Sequence, residues 1–223
     1  MKISQTTIDV LKNFSSISPT LNTDEPKCLR ILSPSENIIS VFDTEETFGE
    51  FAIYDLPQFM GIISLFDLEK TDFLFDKKKE CVKIKSGKTM VKYNFTDSEL
   101  IPNVDKILPS KKYKALDYFT AFVDFKKEDF TKIYKAAQIM RVINVNIKVA
   151  DKKGVVTVSD PSNPVTNDFK MMLPGDGEGE IDISVDYLLM LAGDYSISIK
   201  SNTMMKLQHK DLQLMYFISA NLL

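Results

Sequence analysis

The sequence predicts an α+β fold in which one unit of helices and antiparallel strands occurs twice. Three observations predict it. A few segments place apolar residues with the period of a helix, almost every other segment alternates with the period of a strand, and the order of these elements repeats along the chain. At roughly 150 residues per domain, 223 residues fit one large domain or two small ones.

Apolar side chains spaced three or four residues apart predict the helices. In the first helix Ile8, Leu11 and Phe14 share one face, and Ser4 precedes it as a cap for the free amides of the first turn. Asp55 has the same capping role before the second helix. The four predicted helices cover 5–17, 55–66, 127–140 and 186–192.

Most of the remaining chain alternates apolar and polar residues and is rich in Val, Ile, Phe and Tyr, a pattern typical of strands. Short polar linkers between these segments predict hairpin turns. The predicted strands cover 29–33, 37–43, 50–54, 72–76, 81–85, 90–95, 119–125, 142–150, 154–160, 168–173, 180–185, 195–200 and 212–219.

The order of elements predicts an internal duplication. In each half a helix is followed by strands, then by a strand that runs into a second helix, then by three more strands. The strand-to-helix junctions at 52–56 and 183–187 match in type. The segment between the halves is rich in Pro, Lys, Ser and Asp, which indicates a linker. The predicted domains are therefore 1–96 and 115–223, with 97–114 as connector.

Composition narrows the classes of function. There are 28 Lys and Arg against 31 Asp and Glu, with a net charge of −3, so a globally basic nucleic-acid binder is excluded although local basic patches are not. No apolar run reaches the roughly 18 residues of a membrane helix, and the N-terminus lacks the pattern of a secretion signal. Cys28 and Cys81 form no motif and are expected to be reduced thiols of an intracellular protein.

The sequence lacks the usual signatures of catalysis and of metal or cofactor binding. His209 is its one histidine and is expected to face solvent near a strand end. Three scattered Cys and His residues do not make a zinc site, and no phosphate-binding glycine loop occurs. The glycine-rich segment 175–180 lacks the spacing of a calcium loop and is expected to form a hairpin tip. These features favour a binding or scaffold protein that has no cofactor.

The chain resembles the DNA sliding clamps, and most closely those of the T-even-type bacteriophages. The residues that carry the resemblance are 11–14, 52–56, Phe59, 61–62, Ser64 and Leu65. The resemblance implies a non-enzymatic homotrimeric ring in the cytoplasm of the infected bacterial host. Six similar units would surround duplex DNA, with helices inside and sheets outside. It also implies that an ATP-driven clamp loader opens the ring, and it allows a role in late transcription.

Lysines on the polar faces of the first and third helices are the candidates for contact with DNA. Lys12, Lys132 and Lys135 lie opposite the apolar stripes, and the resemblance implies that they line the hole and meet phosphates without reading bases. Lys127 and Arg141 are further candidates, nearer the buried stripe. Without the resemblance, all of these side chains would be read as ordinary solvated cations.

The resemblance also implies a subunit seam made by edge strands, since a closed ring leaves no free edge. Strand 90–95 of one chain would lie beside strand 168–173 of its neighbour. The aromatic and apolar residues expected there can alternatively face the core of their own domain. They are Tyr93, Phe95, Phe169 and Met171.

Partner proteins of clamps, including the polymerase through its C-terminal peptide, are implied to insert short segments into an apolar pocket near the connector. The residues expected to form the pocket here are Phe42, Ile107, Leu108 and Ile218. Burial in the core is the alternative for each of them.

Two other classes of function stay open at this level. A phage structural or assembly protein would explain the duplication and the acidic charge, but not the lysines opposite the apolar stripes. A glycosidase with a carboxylate-only site would need two facing acids in a cleft. No spacing in the sequence singles out such a pair.

Overall fold

A computed structural model describes residues 1–102, 104, 118–163, 165 and 167–220. The chain forms two compact units, Met1–Ser110 (unit 1) and Lys111–Leu223 (unit 2). The connector expected at 97–114 stays a prediction, and its residues 103 and 105–114 lie outside the described residues. Within the described ranges, no helix is both long and apolar enough to cross a lipid bilayer.

The described part of unit 1 contains two α-helices and two antiparallel sheets. One sheet has the order β3-β2-β1-β4 and the other β5-β6-β7, while α1 packs against α2 and β3. The elements are α1 (Gln5–Ile17), β1 (Leu21–Glu25), β2 (Cys28–Leu32), β3 (Ile38–Asp43), β4 (Phe51–Ile53), α2 (Leu56–Ile63), β5 (Asp72–Asp76), β6 (Cys81–Ser86) and β7 (Thr89–Asn94).

The described part of unit 2 repeats this order with one α-helix and eight antiparallel strands. Its strands form one continuous series, β12-β9-β10-β11-β8-β13-β14-β15. The elements are β8 (Ala121–Phe125), α3 (Lys127–Met140), β9 (Asn144–Ala150), β10 (Lys153–Val158), β11 (Phe169–Gly177), β12 (Gly179–Ser184), β13 (Tyr195–Lys200), β14 (Met204–His209) and β15 (Leu214–Ser219). The predicted α+β class is confirmed.

Helices α1 and α3 begin and end where the sequence predicts. The Ser4 hydroxyl accepts a hydrogen bond from the Thr7 amide at 3.2 Å and caps α1. At α3 the Asp129 carboxylate accepts from the Lys126 amide at 2.8 Å, and Arg141 ends the helix in the left-handed conformation. One face of each helix is buried, so packing stabilises what the caps begin.

The other two predicted helices are shorter than expected. Helix α2 ends at Ile63, because the chain then tightens into three-residue turns in which the Leu65 amide donates to the Ile62 carbonyl. The predicted helix 186–192 is instead a 3₁₀ turn over Val185–Leu188. Side chains compete for its backbone: the Tyr195 hydroxyl donates to the Leu191 carbonyl at 2.6 Å, and the Leu191 amide donates to the Tyr216 hydroxyl.

Two strands, β1 and β14, are missing from the sequence prediction. Strand β1 is short and polar, yet it lies inside its sheet between β2 and β4. Its Thr23 hydroxyl, although buried, donates to the Gly49 carbonyl at 2.8 Å. Strand β14 is rich in Met, Lys and Gln, residues without strong strand preference. Both strands form because they pair with neighbouring strands, and the periodicity of the sequence does not report such pairing.

The glycine-rich segment is not the hairpin tip that the sequence suggested. Gly175 and Gly177 belong to β11, and Gly179 begins β12. Gly177 has φ +76°, and a Cβ there would lie 2.0 Å from the Thr120 carbonyl oxygen. Strand β11 pairs with β10 over its first part and with β8 over Gly175–Gly177. The glycines therefore allow one strand to pass closely between two neighbours.

Candidate functional site

The exposed face of α3 carries two of the predicted DNA-facing lysines. Ile133 and Ala137 are buried, whereas Lys132 and Lys135 are exposed on the other side of the helix. In the described part of the chain, the ion pairs within 4.0 Å do not include either lysine. Both ammonium groups therefore remain available to an external anion.

Lys12 on α1 is also exposed, but its charge is partly offset. Its ammonium lies 4.0 Å from the Asp9 carboxylate one turn earlier, with both side chains about half exposed. An exposed pair of this kind is weak. Unit 1 therefore presents a less positive helix face than unit 2.

The two weaker candidates lie at the ends of α3, and both are exposed. Lys127 starts the helix and its amide donates to the Asp194 carboxylate at 2.9 Å, while Arg141 follows its last turn. A helix rises about 1.5 Å per residue, so Lys127 and Arg141 are roughly 20 Å apart along the helix axis. Lys126, which the sequence prediction omitted, is exposed beside Lys127. It precedes the helix, so helical periodicity could not find it.

Strands β7 and β11, the predicted seam strands, both have a free edge. Strand β7 pairs only with β6 among the described strands. The first part of β11 pairs with β10, and only Gly175–Gly177 pairs with β8. Phe169 and Met171, the predicted seam residues on β11, are half-buried along this edge. The neighbouring Met172, which sequence analysis missed, is 75% exposed.

The aromatic residues predicted for the seam in unit 1 need correction. Tyr93 is buried, its ring lies 5.0 Å from that of Phe59, and its hydroxyl donates to the Asp55 carbonyl. Phe95 stacks on Phe51 with ring centroids 4.7 Å apart. Both rings therefore contact other aromatic rings of unit 1. Tyr93 is buried, whereas Phe95, which follows β7, is half-buried. What β7 can offer a neighbour is its backbone edge and the exposed Met90.

Comparison with known proteins finds a full-length relative. The chain is 26% identical over 234 residues to the sliding clamp of Vibrio phage KVP40, covering 100% of both chains. No family model matches. Two solved structures agree in fold. The DNA polymerase sliding clamp of Pseudomonas aeruginosa has a TM-score of 0.72 at 12% identity, covering 100% of this chain and 66% of that one.

This chain has the sliding-clamp fold. A PCNA from A. fulgidus, solved with the C-terminal region of FEN-1 bound, gives a TM-score of 0.68 at 13% identity over 96% of this chain and 93% of that one. The resemblance to phage sliding clamps that the sequence predicted is thereby confirmed. The chain spans about two thirds of the Pseudomonas clamp and nearly all of the PCNA.

Two of the four residues predicted to form the partner pocket are buried. Phe42 is 5% exposed and Ile218 is fully buried, so neither side chain is available to an incoming peptide. Both lie on strands whose inward positions are filled by the core. Ile107 and Leu108 lie outside the described residues. The pocket assignment therefore loses two of its four members.

His209 is buried rather than solvent-facing, which corrects the sequence prediction. Its ring packs edge-on against Tyr195 with centroids 4.9 Å apart, and its Nδ1 accepts from the Asp211 amide at 3.0 Å. Burial lowers the pKa of the imidazole below its ordinary value, although Asp211 and Asp194 act in the opposite direction. The structure therefore gives His209 a place in the core of unit 2.

Among the described residues, no group of three or more His, Cys, Asp or Glu side chains could hold a metal ion. Cys28 and Cys81 are both buried, and neither forms a disulfide in the part of the chain that the structure describes. The described surface presents cations on its helices and, among the described strands, free edges on β7 and the first part of β11.

Proposed function

We propose that this protein is a sliding clamp that encircles duplex DNA and tethers a replicative polymerase for processive synthesis. The observation that carries the proposal is the similarity to a phage sliding clamp along the whole of both chains. The shared fold and the exposed helix lysines support it. Its place of action would be the cytoplasm of an infected bacterial host.

Contact with DNA would be electrostatic and independent of base sequence. Lys132 and Lys135 are free to meet phosphates, while the net charge of −3 disfavours collapse of the whole surface onto DNA. Phosphate contacts fix no register along the duplex, so weak contacts of this kind permit movement along it. A closed ring then supplies the persistence that the contacts lack.

The ring would be a homotrimer of six similar units. Strand β7 and the first part of β11 are free edges, and an exposed edge strand is a template for pairing with another chain. Pairing β7 of one copy with β11 of the next is a head-to-tail contact, which closes into a ring when the rotation allows it.

The remaining partners follow from the same proposal. A ring must be opened to admit DNA, so an ATP-driven loader would act on it, and the clamp itself would catalyse no reaction. The polymerase would dock through its C-terminal peptide. The PCNA of A. fulgidus, which has a similar fold, was solved with the C-terminal region of FEN-1 bound, and this supports docking through a C-terminal segment.

The architecture is tested by mass and by DNA topology. Light scattering should give three times the 25.4 kDa of one chain. After loading, the clamp should stay on closed circular DNA at high salt and leave the same DNA once it is linearised. Equal retention on both forms would contradict encirclement, and a monomer at all concentrations would contradict the trimer.

The seam is tested with a charged residue on β11. Met171→Glu should abolish the trimer, because a carboxylate at a paired edge would be buried without a partner. Val165→Glu is the matched control, since Val165 is 90% exposed. A trimer of unchanged stability in Met171→Glu would remove β11 from the seam.

The DNA contacts are tested by removing the two unpaired charges of α3. Lys132→Ala combined with Lys135→Ala should weaken DNA binding and reduce the slope of log K against log salt by up to about 5, because a trimeric ring loses six of these lysines. Lys85→Ala combined with Lys88→Ala removes the same charge from exposed positions at the β6–β7 hairpin and should change neither. If both pairs behave alike, α3 does not face DNA.

A further inference from the structure

A cavity of about 600 Å³ lies within unit 1, beside β4 and the segment that follows β7. This volume is within the usual range for ligand sites, roughly 300–1,000 Å³. It is large enough for two or three side chains and too small for a folded domain. The function proposed above uses helix faces and strand edges, so it leaves this cavity without a role.

Four phenylalanines form one wall of the cavity, and we call them the Phe cluster: Phe48, Phe51, Phe75 and Phe95. Phe95 stacks on Phe51 at 4.7 Å and on Phe75 at 6.0 Å. Phe48 packs edge-on against Phe75 at 5.6 Å. Each ring is thus held in place by at least one other before any ligand arrives.

Three rings of the Phe cluster stay partly open. Phe48 is buried, whereas Phe51, Phe75 and Phe95 are only half-buried. Leaving apolar area in water is unfavourable by about 25 cal/mol per Å². A contiguous aromatic surface facing a cavity therefore favours an occupant with an apolar side chain.

The rim of the cavity is acidic. Glu50, Glu80 and Asp97 line it and are exposed, and the described lining residues include no Lys or Arg. The left-handed backbone of Glu80, with φ 46°, places this residue at the turn into β6. Carboxylates beside aromatic faces favour cations, both by direct attraction and through the ring quadrupole. The same charges disfavour phosphate groups, so nucleic acid does not suit this site.

The backbone next to the cavity is suited to an extended chain. Among the described strands β4 ends its sheet: its inner side pairs with β1 over three residues, and its outer side has one bridge, where the Thr96 amide donates to the Ala52 carbonyl at 3.0 Å. An outer edge with one bridge leaves room for a short segment to lie beside it.

We propose that this cavity binds a basic linear peptide of a partner protein. An aromatic or leucine side chain of the peptide enters the Phe cluster, and flanking Lys or Arg side chains pair with Glu50, Glu80 and Asp97. The site lies within one unit and needs neither DNA nor a ring. Peptide binding can therefore be disproved without disproving the clamp function, and the clamp function can be disproved without disproving peptide binding.

Binding is tested with the whole protein and fluorescently labelled hexapeptides. The probe has the sequence Lys-Arg-Phe-Leu-Arg-Lys. Two controls replace its charges (Glu-Glu-Phe-Leu-Glu-Glu) or its apolar centre (Lys-Arg-Gly-Ser-Arg-Lys). Anisotropy should show the probe binding at least tenfold more tightly than either control. Equal affinity for the probe and the control without an apolar centre would overturn the proposal, because the Phe cluster would then contribute nothing.

Location is tested by charge reversal at the rim. Glu50→Lys combined with Glu80→Lys should weaken probe binding at least tenfold. Glu45→Lys combined with Glu178→Lys changes the net charge equally at exposed positions that do not line the cavity and should leave the affinity within twofold. Equal losses in both double variants would place binding elsewhere on the acidic surface and overturn the site.

A second measurement does not depend on any variant. In amide NMR spectra of the wild-type protein, the probe should shift the resonances of Phe51, Thr96 and Ser98, all of which line the cavity. Shifts confined to other regions, or none at saturating probe, would overturn the proposal.

Discussion

The two units of this chain share an order of elements but close their sheets differently. In unit 2 the five-residue strand β8 pairs with β11 on one side and β13 on the other, so all eight strands are continuous. In unit 1, before α1, Met1 exchanges two backbone hydrogen bonds with Phe73 on β5. Its two sheets remain separate.

The comparison separates two ways of holding sheets together. Unit 2 joins its strands by backbone pairing along β8 and needs Gly177 to do so. In unit 1 the described residues before α1 contact β5 through Met1, and the side chains of the Phe cluster pack beside β4. Substitutions can distinguish strand pairing from side-chain packing.

The largest effect is expected at Gly177 in unit 2. Gly177→Ala should lower the free energy of unfolding by about 3 kcal/mol, because φ +76° disfavours a side chain and the new Cβ meets the Thr120 carbonyl. Gly61→Ala in α2 is the control: nothing lies within 4 Å of its Cβ, so it should stabilise by about 0.5–1 kcal/mol. Urea titrations measure both, and an unaffected Gly177→Ala protein would mean that β8 does not need this close passage.

A smaller effect is expected at Glu46, which holds α1 to unit 1. Its carboxylate accepts from the Ser4 amide at 2.6 Å, from the Thr7 hydroxyl at 2.9 Å and from the Thr44 hydroxyl. Burial raises the pKa of Glu46, but these hydrogen bonds outweigh it and bring the pKa to about 2. Glu46→Gln should lower stability by about 2 kcal/mol at neutral pH, with the exposed Glu45→Gln as control.

The pH dependence of Glu46 follows from the direction of its shift. The unfolded chain binds this proton first as the pH falls, since its pKa is near 4.5 against about 2 in the folded chain. The stabilisation is therefore full above about pH 5 and is lost between there and pH 2. Wild type and Glu46→Gln should converge in stability over that range, and a constant difference down to pH 2 would contradict the assignment.

Tyr93 tests where the interior of unit 1 ends and the seam begins. Tyr93→Phe removes the hydroxyl that donates to the Asp55 carbonyl, so stability should fall by about 1 kcal/mol. The oligomeric mass should not change, because the aromatic side chain at position 93 stays buried in unit 1. Tyr54→Phe, at a 64% exposed position, is the control for loss of a hydroxyl. Dissociation of the trimer in Tyr93→Phe alone would restore Tyr93 to the seam.

The smallest effect is expected at His209 in unit 2. Because its folded-state pKa lies below the ordinary 6.5, the unfolded chain binds the proton first. Stability should be full above pH 6.5 and decline as the pH falls below it, by less than about 1 kcal/mol over the first unit. As the one histidine of the chain, it gives a single set of imidazole signals by NMR. A midpoint above 6.5 would contradict the burial of its ring.

Local patterns predicted the helices α1 and α3 well, because caps and apolar stripes agree there with tertiary packing. They failed at 186–192, where Tyr195 and Tyr216 take the backbone groups that a helix would need. They failed at β1, whose polar residues become strand only through pairing with β2 and β4. In each failure a distant partner outweighed the local preference.

Part of the candidate site could likewise be predicted from local patterns, and part could not. Exposure of Lys12, Lys132 and Lys135 could be predicted, since a side chain opposite a buried stripe on a helix faces solvent. The roles of Tyr93 and Phe95 could not. Both follow the strand period, but which face of β7 meets α2 and the Phe cluster depends on sheets that join residues far apart in sequence.

The sequence by itself determined the α+β class, the duplicated order of elements, the cationic helix faces and the resemblance to phage sliding clamps, because periodicity, composition and motifs are local properties. Only the tertiary structure decided which strands keep a free edge, which apolar rings are buried and where unit 1 leaves a cavity. Those features depend on strand register and on how completely the sheets close, and many pairings between residues distant in sequence fix them together.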